Sequence, residues 1–192
     1  NGVVYTKLSN IGRGGSSKVY KVMRQHDRQI FALKRVRMKG ISKSTYQGFL
    51  NEVELLKRLK GKPNIIQYID SEFRKHEHVL FLVIELGEID LGSMLKEQKQ
   101  CTDIQIRAYW YQMLQAVHTI HEDLIIHSDL KPANFLLVKG TLKLIDFGID
   151  EIFEDEDGKM IYAPFESFGA IQKELENRNI EILSSGFDRI PQ

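Results

Sequence analysis

The stretch HSDLKPANFLLVKGTLKLIDFG, residues 127 to 148, constrains the fold more than any other part of this 192-residue chain. Two short apolar runs, Phe135 to Val138 and Leu142 to Ile145, flank a turn at Lys139 and Gly140, so the segment reads as a β-hairpin. Closing that hairpin brings its outer ends together, with Asn134 at one and Asp146 at the other. Just upstream, Asp129 and Lys131 lie in a loop that Pro132 keeps from becoming helix. Singly, each of these residues is at home in an ordinary turn. As a set, in this order and between apolar flanks, they read as a site.

The first half of the chain supplies what such a site would face. From Tyr5 to Val36 short apolar stretches are broken by glycine, the pattern of an antiparallel sheet. Gly12, Gly14 and Gly15 fall in IGRGGSSKV, a turn between two strands where missing side chains let backbone amides approach an anion. Lys34, in FALKRV, alternates onto the face of Ala32 and Val36. There it either snorkels to water at a sheet edge or meets an anion. The helix predicted over TYQGFLNEVELLKRLKG offers one: Phe49, Leu50, Val53, Leu56 and Leu59 make its apolar stripe, Gly61 stops it, and Glu52 falls on the side of Leu56 and Leu59. A carboxylate beside a buried stripe is costly unless paired, and Lys34 is its natural partner.

Two further strands are predicted at NIIQYID and HVLFLVIEL, the second apolar on both faces and so central, with Gly87 as a hinge beyond it. Thr102 and Gln105 form a capping box for a long helix expected to bury Trp110, Met113, Leu114, Val117 and Ile120. Residues 149–161 are acidic and lack core-forming periodicity, which predicts an exposed loop, and AIQKELENRN is the one helical patch in the tail.

Composition removes several classes of function. A formal net charge of +1 argues against a nucleic acid partner. The longest apolar run, Val79 to Ile84, is far short of the roughly 20 residues of a membrane span, so no membrane association is expected. The single cysteine, Cys101, suits a reducing, intracellular compartment. His118 and His121 read as structural, since nothing at metal-ligand spacing accompanies them, and His127 reads as a packed histidine supporting its loop and not as a general base. The chain opens on Asn1 and not Met, so an excised piece of a longer protein is expected.

A nucleoside triphosphate needs a backbone cover for its phosphates, cations for their charge, oxygen ligands for Mg²⁺ and a carboxylate near the attacking hydroxyl. The glycine turn, Lys34 with Lys131, Asn134 with Asp146, and Asp129 meet those needs in turn. With these residues quoted, the chain resembles the eukaryotic protein kinases: glycine loop, A-x-K lysine, helix glutamate, H-x-D-x-K-x-x-N, then DFG, in order across residues 8 to 148. IGRGGSSKVYKV, YWYQMLQAVHTIHEDLIIHSDLKPANFLLV and LKLIDFGI are similar to the TTK-type monopolar-spindle kinases, dual-specificity enzymes of the spindle assembly checkpoint.

The resemblance implies an α+β bilobal fold, with an antiparallel-sheet N-lobe and one helix over residues 1–87 and a mostly helical C-lobe over 88–192. It implies ATP and Mg²⁺ as cofactors. Asp129, Lys131, Lys34 and Glu52 would be catalytic, and Asn134 and Asp146 the metal ligands. The nucleotide would lie among Ile11, Gly12, Gly14, Gly15, Val19, Ala32 and Lys34, with gatekeeper Ile84, hinge residues Glu85, Leu86 and Gly87, and Leu136 as floor. Protein substrates, kinetochore partners and a nuclear or cytoplasmic location follow from the same resemblance.

Departures are equally specific. Ser128 replaces the arginine that would grip a phosphorylated activation loop, and residues 149–161 hold no Ser, Thr or Tyr, which predicts a loop not switched by its own phosphorylation. YAPFES resembles Y-M-P-P-E-A, which would put a structural glutamate at Glu166 but Lys159 where a threonine is expected. No D-x-W-S-x-G segment follows, although ILSSGFDRIP resembles a later part of the family pattern. The C-lobe is therefore expected to be truncated or internally shortened, and a non-catalytic ATP-binding protein or scaffold stands as the alternative to an active kinase.

Overall fold

The structure, a computed structural model, describes residues 2–97, 101–123, 125–127 and 129–147. The expectations for Ser128, Gly148, the acidic loop, YAPFES and the tail lie outside the described residues.

Five strands form an antiparallel sheet: β1 (Tyr5–Arg13), β2 (Ser17–Arg24), β3 (Ile30–Arg37), β4 (Tyr68–Arg74) and β5 (Val79–Glu85), in the order β1-β2-β3-β5-β4. With β3 on one side and β4 on the other, β5 is interior, as its apolar faces require. Alternation divides β3 cleanly. Val36 joins the main core, while Phe31 and Leu33 pack on the opposite face with Val22 and Val83.

Helix α1 (Lys43–Arg58) lies on the main-core side. Ser42 caps it by accepting from the Thr45 amide, a cap not anticipated from the sequence. It buries Glu52, Val53, Leu55 and Leu56, and Leu59 closes its end fully buried. Each such apolar side chain contributes about 1.5–3 kcal/mol by leaving water.

Beyond Gly87 the described residues form α2 (Leu91–Glu97), α3 (Asp103–Glu122), a 3₁₀ turn (Pro132–Asn134) and the hairpin β6 (Phe135–Val138) and β7 (Thr141–Leu144). The capping box at Thr102 and Gln105 is present. Helix α3 buries Met113, Ala116, Val117, Thr119 and Ile120, whereas Trp110 and Leu114 are half-buried, so the stripe is rotated slightly from the expected one. At the hairpin turn Lys139 and Gly140 both take positive φ, 49° and 79°, the mirror-image turn that matches strand twist. Met113, Val117, Ile120, Phe135, Leu142 and Leu144 belong to the same core cluster as α1 and β5.

Strand β4 begins four residues later than NIIQYID suggested, because Asn64 to Ile66 are used elsewhere. Asn64 sits at φ 57° and donates to the Leu142 carbonyl, while Leu144 donates to the Asn64 carbonyl and Ile66 to the Leu144 carbonyl. These bonds sew the loop after α1 onto the β6–β7 hairpin.

Candidate active site

Lys34 is where the two halves of the expected site meet. Its Nζ donates to Glu52 Oε1 at 2.7 Å, to Glu52 Oε2 at 3.0 Å and to Asp146 Oδ1 at 3.0 Å. Sheet pairing sets Lys34 opposite Leu82 of β5, and the helical phase of α1 turns Glu52 inward. Burial alone would lower the Lys34 pKa, but the carboxylates of Glu52 and Asp146 more than offset it, and the ammonium is held charged. Burial also pushes the Glu52 carboxyl up, and Lys34 draws it partly back. Asp146 reaches Lys34 from a left-handed backbone, φ 57°, that Phe147 anchors by being buried against the His127 ring at 5.5 Å between centroids. Leu56, His127 and Phe147 are all buried.

The second cluster is built on the 3₁₀ turn. Asn134 is buried and donates from Nδ2 to the Asp129 carbonyl at 2.8 Å, with Asp129 Oδ2 at 3.4 Å. Lys131 Nζ donates to Asp129 Oδ2 at 2.5 Å. The Ile145 amide donates to the Asn134 carbonyl at 2.8 Å, which ties the residue before Asp146 to Asn134. The hairpin thus brings together the residues that the sequence placed at its two ends.

The donor set suits a hard cation in part. With its Nδ2 committed to Asp129, Asn134 keeps its amide oxygen for a ligand, and Asp146 adds a carboxylate that is 57% exposed. One amide and one carboxylate are too few to cage a metal, and no group of three or more His, Cys, Asp or Glu residues suited to a metal occurs among the described residues. That is the ligand count of a site where Mg²⁺ keeps waters and shares phosphate oxygens.

The candidate nucleotide residues lie on the glycine turn, on β3, at the end of β5 and on β6. Gly12 pairs with Val19 across β1 and β2, and the Gly14 amide donates to the Ser17 carbonyl at 2.9 Å, closing the glycine turn, with Ile11 exposed at its base. Gly15 has open space around it. Ala32 pairs with half-buried Ile84, and Phe31 with Glu85. After Leu86, a Cβ on Gly87 would run into the Leu136 side chain, so the hinge lies directly against β6.

One pair went unread in the sequence. Lys143 Nζ donates to Glu85 Oε1 at 2.5 Å, and both side chains are largely buried. The signal was available: Lys143 stands between Leu142 and Leu144 as Lys34 stands between Leu33 and Arg35 in an apolar strand.

No helix among the described residues is long and apolar enough to cross a membrane. A family model described as a protein kinase domain matches residues 5–167. A probable serine/threonine-protein kinase mps1 of Dictyostelium discoideum is 51% identical over 160 residues, covering 82% of this chain and 16% of that protein. The dual specificity protein kinase TTK of Mus musculus is 45% identical over 150 residues, 78% of this chain and 17% of its own length. The chain therefore spans about a sixth of the length of these relatives. A probable transcriptional regulatory protein of Flavobacterium johnsoniae is 78% identical over 51 residues, which is 27% of this chain and 22% of that protein.

Proposed function

Because the chain belongs to the protein kinase family, we propose that its site binds ATP with Mg²⁺ and transfers the γ-phosphoryl group to Ser or Thr, and also Tyr, of protein substrates. The observation that carries this reading is the sharing of one ammonium, Lys34, between Glu52 and Asp146, beside the Asp129, Lys131 and Asn134 cluster. An ammonium so placed can turn from Asp146 to the triphosphate without losing Glu52. Asp129, 55% exposed, accepts the proton of the substrate hydroxyl as its oxygen bonds to the γ-phosphorus and the bond to the leaving ADP oxygen breaks. Lys131 offsets charge on the transferring group. Asn134 and Asp146 would hold Mg²⁺, which supplies neutralisation of phosphate charge.

Ile11, Gly12, Gly14, Gly15, Val19 and Ala32 cover the nucleotide in this reading, Ile84 to Gly87 meet its base, and Leu136 underlies it. Residues 1–87 and 88–192 are the two lobes. The likeness to TTK and mps1 supports a role in the spindle checkpoint, with kinetochore partners and a nuclear or cytoplasmic place of work. The test is radiolabel transfer from ATP to a basic protein, together with nucleotide binding. Asp129→Ala is expected to abolish transfer and to leave binding within about twofold, as expected for a base that acts only in the transition state. Loss of binding in that variant would overturn the assignment.

The 51-residue likeness to a bacterial regulatory protein favours a second reading. The ordered kinase motifs through DFG end at residue 148 and the family model at residue 167, so on this reading the 51-residue likeness belongs to the C-terminal part of the chain. On this reading a kinase site is joined to part of another family, and the protein binds ATP without phosphorylating proteins. Measurable ATP affinity with no transfer at any substrate concentration would select it.

A further inference from the structure

Glu85 ends β5 at the hinge, and its carboxylate does more than terminate a strand. Its Oε1 accepts from Lys143 Nζ at 2.5 Å and from the Gln67 amide at 2.8 Å, while its own amide donates to the Gln67 carbonyl at 3.0 Å. The side chains of Lys143 and Glu85 are 17% and 21% exposed, so the pair is shielded from the screening that weakens surface ion pairs. Lys143 belongs to β7, three residues before Asp146, and stands directly across from Leu136 in β6. On the far side of Gly87 the chain is already fixed to β6 through backbone bonds, from the Glu88 amide to the Leu137 carbonyl and from the Leu137 amide to the Ile89 carbonyl. Before Gly87, among the described residues, the polar tie between hinge and hairpin is the ion pair.

We propose that Lys143 is a positioning residue for nucleotide binding, holding the Glu85 carboxylate so that the hinge stays in register with the hairpin that carries Asn134 and Asp146. The inference rests on the nucleotide reading above and adds a coupling within it. The base of a nucleotide is held at the hinge and its phosphates at the hairpin end, so a shift between the two spoils both sets of contacts at once. Lys143 would act through Glu85 and not on the nucleotide itself.

A double-mutant cycle on the full chain tests this, reading ATP–Mg²⁺ affinity by titration calorimetry and thermal stability on the same samples. Lys143→Met keeps the length of the side chain, and Glu85→Gln keeps an oxygen for the Gln67 amide. Each single change is expected to weaken affinity about fivefold to tenfold, the double change no further, and Lys143→Arg less than about twofold. Unchanged or tighter binding in the single variants, or additive losses in the double, overturns the proposal. So does a cycle in which the pair couples in thermal stability but not in affinity, since a merely structural tie would do that. If the unaltered chain binds no ATP while Lys143→Met melts at the same temperature, the nucleotide reading itself is overturned, and this inference with it.

Discussion

Replacing Glu52 with glutamine removes one charge and almost no volume from a largely buried polar contact of the site. At 2.7 Å and an effective dielectric near 20, a unit pair gains about 6 kcal/mol by Coulomb's law. Much of that gain is already spent on taking Glu52, 6% exposed, out of water. Removing one partner of such a pair costs about 3–5 kcal/mol because the other is left buried with its charge. Here Asp146 remains 3.0 Å from Lys34, and the glutamine oxygen still accepts a hydrogen bond, so a net loss of about 2 kcal/mol is expected. For a chain of this size that is about 4–8 °C in melting temperature. Differential scanning calorimetry on the single variant and on Glu52→Gln with Lys34→Met reads it. The double variant should recover about half or more of the loss, since no buried ammonium is then stranded. A single variant that melts with the wild type, or a double that is worse than either single, would refute the reasoning.

Gly87→Ala should cost about 1–3 kcal/mol, because the new methyl runs into Leu136, and Leu136→Ala should remove most of that cost when combined with it, as urea denaturation of the four proteins would show. His127 gives a pH dependence of definite sign. Burial lowers its pKa below 6.5, so the unfolded chain binds a proton that the folded chain refuses, and stability present above pH 6.5 is lost as pH falls toward the folded-state value. The slope is at most about 1.4 kcal/mol per pH unit for one proton, and His127→Phe should flatten the denaturation free energy between pH 7 and pH 5, leaving the share due to His121, whose pKa burial also lowers. An equal slope in both proteins would show that His127 does not set it.

What the sequence made legible was local or charged against its background. Glu52 stood out because a carboxylate broke the apolar phase of α1, and Lys34 because an ammonium broke that of β3. The β6–β7 hairpin was readable from two apolar runs and a Lys-Gly turn, and with it the meeting of Asn134 and Asp146. Helix α2 escaped because seven residues are too few for periodicity to speak, and it is held instead by Asp90, which accepts from the Ser93 amide and hydroxyl. NIIQYID reads as one strand because its apolar residues give no hint that Asn64 turns left-handed to bond the hairpin 78 positions away.

That misread loop explains how the site keeps its geometry. The Lys34 contact to Asp146 spans 112 positions, and Asp146 is exposed, so the contact by itself would contribute little. It is held in register because Asn64 and Ile66, on the loop leaving α1, are bonded to Leu142 and Leu144. Glu52 therefore approaches Lys34 from a helix whose exit is pinned to the strand that leads into Asp146. The bonds that fix the spacing of Lys34, Glu52 and Asp146 come from Asn64, Ile66, Leu142 and Leu144, residues with no chemistry of their own. Substituting Asn64 should accordingly move the Glu52, Lys34 and Asp146 contacts together.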